Sequence, residues 1–592
     1  MLFLVLSIVA LAAGPLLARA AHARPWAVEF ADGFVVVTVG GLVVLHVIPA
    51  SIEIGGAWAL AAALCGLVAP LAFERFERRA ASSSTKTVIY SLVLIGVAVH
   101  ALLDGAAMLE LGGAPAARAL AVSVVVHRIP VGLAIWWLVR PRRGIAAALT
   151  LLAVEAGGGI VGFFLARPLL TGSLAPHLSL FQAALAGALL HVLAHHAPSP
   201  DLDAGESHEH VHAYDEAHET GAHHHPTRFA SGLGALAAIA FVAFITREHP
   251  IAHPALDELG ARAAFLSLTR AVSFPLLVAC GIAGIAHVVL PQNMARLLSN
   301  ADGALGAMRG LVVGMLLPVC SCGIVPLHRT LSDRRLAPNA AAGLLVASPE
   351  LGPSALLLSF ALLGPVLAVA RICTAAVAAI VVAFLFTYAS AGDNALPSDI
   401  DSAPQLPAPK TLDSIGHALR FGFVEMLDHT APWLLAGLIA AALAEPTIPH
   451  DAFVSSTPVL VVIVAALVGV PFYVSASAAM PVLAVLMHKG LSPGAAVAFL
   501  LTAPAVTPAT VALLSARFGM RTARIFAVAA VCVAIGAGVG IDRFAGITYA
   551  FDIHRAPTML ENFGLPVIAL LVVASLVRQG PRAMLAKLLA SG

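Results

Sequence analysis

Apolar runs of about twenty residues recur along the whole chain, and that is the length a helix needs to cross the roughly 30 Å hydrocarbon core of a bilayer. In the first part they fall near 2–20, 34–50, 57–73, 87–109, 119–139, 144–166, 178–196 and 229–246. In the second they fall near 262–291, 306–327, 337–361, 365–389, 417–445, 457–485, 492–516, 522–541 and 562–578. A lipid-facing segment must satisfy its own backbone polar groups, which a helix does. The chain therefore reads as an all-α polytopic membrane protein of about 16–17 transmembrane helices. Of its 592 residues 60% are hydrophobic and 11% charged, where a soluble domain carries roughly 25% charged. The first run ends at Ala21-His22-Ala23, which imitates a cleavage site. It lacks a basic start and is longer than a signal core, so it reads as a retained helix.

The polar residues are few enough to be placed one by one. Thirty-three Lys and Arg against thirty-two Asp and Glu give a net charge of +1, which excludes a generally basic nucleic-acid binder. Residues 197–228 are acidic and rich in His, 247–261 are polar, and 390–412 carry Ser, Pro, Asp and Asn in the manner of a linker. These breaks predict an eight-helix domain over 1–246 and a second group made of 262–389 and 413–545, followed by a C-terminal helix within 562–592. Arg19 and Arg24, then Arg75, Arg78, Arg79 and Lys86, then Arg140, Arg142 and Arg143, occupy loops of one parity. Positive charge favours the cytoplasmic side, so the N-terminus is expected outside and the His-rich loop inside. Arg329, Arg334 and Arg335 break that pattern if every later run crosses fully, which implies a re-entrant segment or a shifted boundary.

The second group repeats itself. Shifting residues 314–364 by 155 sets Gly314 on Gly469, Pro326 on Pro481, Pro338 on Pro493, Pro349 on Pro504, Pro353 on Pro508 and Gly364 on Gly519. In secondary transporters, broken helices at matching positions of two repeats line a central site. Cys320-Ser321-Cys322-Gly323 then faces Ser475-Ala476-Ser477-Ala478, and Glu350 in Ser348-Pro349-Glu350-Leu351-Gly352-Pro353 faces a segment containing Thr507.

Four cysteines, Cys65, Cys280, Cys373 and Cys532, stand singly in apolar runs and read as small buried hydrophobes. Cys320 and Cys322 differ, because Pro318, Gly323 and Pro326 break the helix around them and let both thiols face one cavity. Soft thiolates suit Cu(I), Zn(II) and other thiophilic species. Glu350 is an intramembrane carboxylate, a functional candidate by default as a cation ligand or proton carrier. Ser475, Ser477 and Thr507 supply hydroxyls on the opposite side. The frame Pro318-Val-Cys-Ser-Cys-Gly-Ile-Val-Pro326 with Ala347-Ser-Pro-Glu350 resembles the predicted permease family that includes organoarsenical exporters and a copper/zinc efflux branch, over about 262–545. That resemblance implies an efflux permease.

In the first part His100 and Asp104 are four apart in His-Ala-Leu-Leu-Asp-Gly, and His127 opens His-Arg-Ile-Pro-Val-Gly on the next helix. Together with His46-Val-Ile-Pro49 this is similar to the ZIP family of zinc and iron transporters. The resemblance implies a ZIP-like eight-helix half with a divalent-metal site at His100, Asp104 and His127. The family's glutamates are replaced here by Val131 and Ala50, leaving Glu155, His191, His195 and His196 as further donors in later helices. Loss of a bridging carboxylate weakens such a site. The loop residues His208, His210, His212, His218, His223, His224 and His225, interleaved with acids, read as a flexible zinc- or copper-binding tract. Glu425, Asp428 and His429 share one helix face as a further cluster.

Neither a phosphate-binding loop nor an Asp-Lys-Thr-Gly phosphorylation motif is present, so an ion gradient would supply the energy and no enzyme is expected. The expectation is a multi-pass permease of the bacterial inner membrane that exports a thiophilic metal or metalloid. Its partners are the bilayer and the ion (zinc or copper as substrate or ligand rather than prosthetic group), and a homo-oligomer is one arrangement open to it. Two alternatives stand beside it: divalent uptake through the ZIP-like half, and a metal-sensing membrane scaffold.

Overall fold

The computed structural model describes residues 1–22, 24–79, 96–106, 108, 115–165, 175–195, 226–248, 258–289, 303–316, 338–390, 411–450, 452–453, 457–470, 474–544 and 557–589. Among these residues there are helices and no strands. Eight helices are long and apolar enough to cross a membrane, and ten shorter apolar helices accompany them. The protein is an all-α polytopic membrane protein. It divides into two compact units, Met1–Ala255 with Leu576–Ala586, and Leu256–Ser575 with Lys587–Gly592.

The first unit contains α1 (Leu2–His22), α2 (Pro25–Leu42), α3 (Ile48–Gly55), α4 (Ala57–Arg79), α5 (Gly96–Ala106), α6 (Pro115–Phe164), α7 (Ala175–His195) and α8 (Pro226–Glu248). Helix α2 packs along α8, α1 along α6, and α4 along α7. The long α6 is two helices joined at Gly144, whose φ of 83° no other residue adopts cheaply. Between α2 and α3 the backbone widens into a π-turn over Val43–Val47, the turn that carries His46. The unit is closed by a distant residue. Arg582 grips the buried carboxylate of Asp32, with Nε 2.9 and 2.7 Å from its two oxygens and Nη2 2.7 Å from Oδ1. Its Nη1 donates to the Leu193 carbonyl at 2.7 Å.

The second unit contains α9 (Glu258–Val289), α10 (Gly303–Leu316), α11 (Pro338–Leu351), α12 (Pro353–Ser390), α13 (Thr411–Arg420), α14 (Met426–Thr447), α15 (Pro458–Gly469), α16 (Ala476–His488), α17 (Pro493–Thr502), α18 (Pro508–Phe544) and, as far as Ser575, α19 (Met559–Gln579), while α20 (Pro581–Leu589) belongs to the first unit as far as Ala586. A π-turn at Phe421–Glu425 joins α13 to α14.

The 155-residue repeat is a structural one. Helices α11 and α17 begin at the matched prolines 338 and 493, and α12 and α18 at the matched prolines 353 and 508. Proline suits the first helical turn because its missing N–H has no partner there anyway. Gly364 (φ 77°, ψ 165°) and Gly519 (φ 82°, ψ 154°) then break α12 and α18 in the same left-handed conformation. Gly314 lies against Ala347 and Ser348, and Gly469 against the matched pair Thr502 and Ala503, so the same small residue admits the same helix crossing twice.

The apolar runs expected as single spans at 337–361 and 492–516 are each a pair of short helices. At 14 residues α11 spans about 21 Å, and at 10 residues α17 about 15 Å, both short of a 30 Å core. The matched Pro353 and Pro508 start a new helix where the run of apolar side chains alone would have continued the old one.

Candidate transport site

Glu350 ends the short helix α11 and Arg371 lies on α12, and both side chains are fully buried. Arg371 Nη2 donates to Glu350 Oε2 at 2.7 Å and Nη1 donates to Ser359 Oγ at 2.8 Å. Ser359 donates to the Ala355 carbonyl at 2.7 Å, and its Oγ lies 3.8 Å from Met480 Sδ on α16. Among the described residues Glu350 Oε1 and Arg371 Nε have no hydrogen-bond partner. Desolvating two charges is costly even when they pair, and an orphaned buried carboxylate oxygen adds about 1–3 kcal/mol. A group held at that cost calls for a functional explanation.

The second repeat answers with apolar side chains. Residues 350, 359 and 371 correspond to Ala505, Leu514 and Phe526, all buried. The packing frame is shared, and the charge belongs to one repeat.

The hydroxyls expected in the site are present but already engaged. Ser475 caps α16, accepting from Ala478 N at 3.4 Å, and its Oγ lies 3.0 Å from Ser477 Oγ. Thr507 caps α18, accepting from Thr510 N at 3.1 Å, with the two threonine hydroxyls 2.8 Å apart. All are buried at the helix breaks of the second repeat. Cys320 and Cys322 lie outside the described residues, as do His196, His208, His210, His212, His218, His223, His224 and His225.

In the first unit a guanidinium stands among the acids of the expected metal site. Arg128, buried on α6, donates from Nη1 to Glu155 Oε2 at 2.9 Å and to the Glu155 carbonyl at 3.1 Å, and from Nη2 to the Ala101 carbonyl at 3.4 Å. Its Nε is 3.4 Å from Asp104 Oδ2, which is 3.6 Å from His100 Nε2. Gly159 makes room: a Cβ there would sit 3.1 Å from Arg128 Nη2. His100, Asp104 and Glu155 thus share one cluster, and His191 is buried on α7. His127 is in α6 and His195 in α7, but their side chains lie outside the described set. Of the other acidic cluster, Glu425 is exposed and 3.4 Å from Arg420, and His429 is exposed.

Sequence reasoning missed both buried arginines. Arg371 left a signal, being the one charged residue in the 38-residue α12. Arg128 left another, directly following His127 in the motif.

Residues 259–542, the duplicated unit, match the model of a family described as "Predicted permease". UPF0718 protein YcgR of Bacillus subtilis (strain 168) is 22% identical over 178 residues, which is 30% of this chain and 60% of that protein. The match thus spans less than two thirds of that relative's length. No solved structure matches the chain. These similarities support a membrane permease rather than an enzyme.

Proposed function

We propose that the protein is a permease that exports a thiophilic metal or metalloid from the cytoplasm across a bacterial inner membrane, driven by an ion gradient. One observation carries the reading: Glu350, fully buried beside a helix break of a duplicated unit, keeps Oε1 without a partner among the described residues while Arg371 holds Oε2. Helix breaks at membrane depth are tolerated where protein or a cavity satisfies the freed backbone, and paired broken helices are where secondary transporters bind substrate. The Cys320-Ser-Cys322 segment precedes α11 in sequence, so soft sulfur ligands and the Glu350 carboxylate belong to the same repeat. In this reading the thiolates bind the ion in passage, and Glu350 balances its charge or carries the coupling proton. Copper, zinc and trivalent arsenic are the substrate class such ligands take. The His tract at 208–225 gathers metal, and the ZIP-like resemblance of the first unit reflects ancestry of fold.

Divalent uptake through His100, Asp104 and His127 is the second reading, and the position of Arg128 weighs against it. A guanidinium bonded to Glu155 and close to Asp104 supplies the positive charge that a metal ion would bring. A metal-sensing scaffold is the third, resting on the His tract alone.

Flux of Zn(II), Cu(I) and arsenite in oriented vesicles tests the proposal, with Cys320→Ser/Cys322→Ser beside Asp104→Ala. Export lost in the thiol variant and kept in Asp104→Ala supports it. Undiminished export in the thiol variant overturns it, and loss of uptake in Asp104→Ala alone favours the second reading.

A further inference from the structure

A separate cluster lies where two helices of the second unit end. Glu445 is in the last turn of α14, His450 follows it in the chain, and His488 closes α16. One donor atom from each lies within 4.8 Å of the other two. The imidazole rings of His450 and His488 meet edge to face, centroids 5.2 Å apart. The carboxylate is divided between two tasks. Lys489 Nζ holds Oε1 at 3.0 Å, and the Glu445 side chain is only 10% exposed. Oε2 is buried and has no partner among the described residues.

The local sequence builds this arrangement. His488 and Lys489 end α16 in a tight turn, in which Gly490 takes φ 97° and Leu491 N donates back to the Leu486 carbonyl at 2.9 Å. That turn fixes Lys489 toward Glu445 with His488 beside it. An ammonium alone would satisfy a carboxylate through either or both oxygens. Here it takes one oxygen and leaves the other desolvated, in a carboxylate with an oxygen within 4.8 Å of a nitrogen of each imidazole.

We propose that Glu445 Oε2, His450 and His488 form a binding site for a divalent transition-metal ion of the zinc class, with a fourth position open. Two imidazoles and a carboxylate are a donor set that binds Zn(II) at about 2.0–2.1 Å with one position left over. Tetrahedral ligation at those lengths sets donor atoms roughly 3.4 Å apart, so donors now within 4.8 Å of one another close by at most about 1.4 Å around the ion. His450 is exposed and free to make that movement. Lys489 orients the carboxylate and at the same time repels the cation, so the site binds reversibly. The inference does not rest on the export reading, since the cluster shares no residue with Glu350, Arg371 or the thiol segment.

Equilibrium zinc binding to the purified full-length chain tests it. The seven His of 208–225 are replaced by Gln and Cys320 and Cys322 by Ser, so that neither competes. Against that background His450→Ala/His488→Ala loses one zinc equivalent and the visible d–d bands of the Co(II) form, and Glu445→Gln weakens binding about tenfold or more, equivalent to 1.4 kcal/mol. An unchanged stoichiometry in the double His variant, or undiminished binding in Glu445→Gln, overturns the proposal. Flux is not read, so failure here leaves export standing, and failure of export leaves this site standing.

Discussion

Arg371 and Phe526 stand 155 residues apart at matched positions of the two repeats, both fully buried, and only Arg371 carries a charge. The second repeat shows that the same frame closes over Ala505, Leu514 and Phe526 without ions. The Glu350–Arg371–Ser359 network is therefore not demanded by packing. Glu350→Ala leaves a buried unpaired guanidinium and should cost about 3–5 kcal/mol. Replacing all three at once, Glu350→Ala/Ser359→Leu/Arg371→Phe, should return most of that stability, because a buried pair exchanged for apolar residues is often neutral or better. Thermal unfolding in detergent reads the stability and vesicle flux the activity. The triple variant is expected to be stable and inactive.

Gly364→Ala and Gly519→Ala should each destabilise by about 1–3 kcal/mol, since positive φ with extended ψ is a region that an L side chain enters only under strain. The two effects should be alike, because the two backbones are: φ is 77° in one and 82° in the other. Asn at either position should cost about as much as Ala, because positive φ with extended ψ is a region essentially only glycine enters. Unfolding temperatures of the four variants check this, and a large inequality between the repeats would show that their kinks are not equivalent.

At the repeated helix crossing, a Cβ on Gly469 would run into Thr502 Oγ1, whereas on Gly314 it would meet the smaller Ala347. Gly469→Ala should therefore cost about 1–3 kcal/mol through overpacking, and Thr502→Ala should recover part of it. A double-mutant cycle between 469 and 502 is expected to show coupling of about 0.5 kcal/mol or more. Additive effects would disprove the contact.

Arg128→Ala removes the cation that Asp104 and Glu155 share, and leaves two buried carboxylates near His100. In a chain whose 208–225 histidines are replaced by Gln, this variant should be unstable in chelator and recover when Zn(II) or Mn(II) is added. The same chain with Arg128 intact should show no such response from this cluster. Melting curves with and without metal decide it; an Arg128→Ala chain indifferent to metal removes the idea that the guanidinium fills a cation position.

The repeat was legible in the sequence because Gly and Pro encode backbone conformation directly. Pro338, Pro353 and Gly364 start and break helices by their own stereochemistry, whatever surrounds them. The ion networks were only half legible. Glu350 stood out as a costly acid, and Arg371 was equally conspicuous in α12, but nothing local says that a residue 21 positions away is its partner. Asp104 and Glu155 are visible on separate helices, but no local pattern says that Arg128 reaches both. Ser475 and Thr507 were read as site hydroxyls from their place opposite the thiols. Each stands directly before a helix start, where a hydroxyl caps the first turn, and the structure uses both in that way. Glu445, His450 and His488 form no motif in the sequence, since the third donor arrives from another helix.

The grip of Arg582 on Asp32 joins residues 550 positions apart, and this dictates an order of events during synthesis. At about 5–20 residues per second, roughly half a minute to two minutes separates the emergence of the acid from that of its base. Through that interval Asp32 has no Arg582 to pair with. A chain cut short before Arg582 would leave the first unit without its closing segment and Asp32 without this guanidinium.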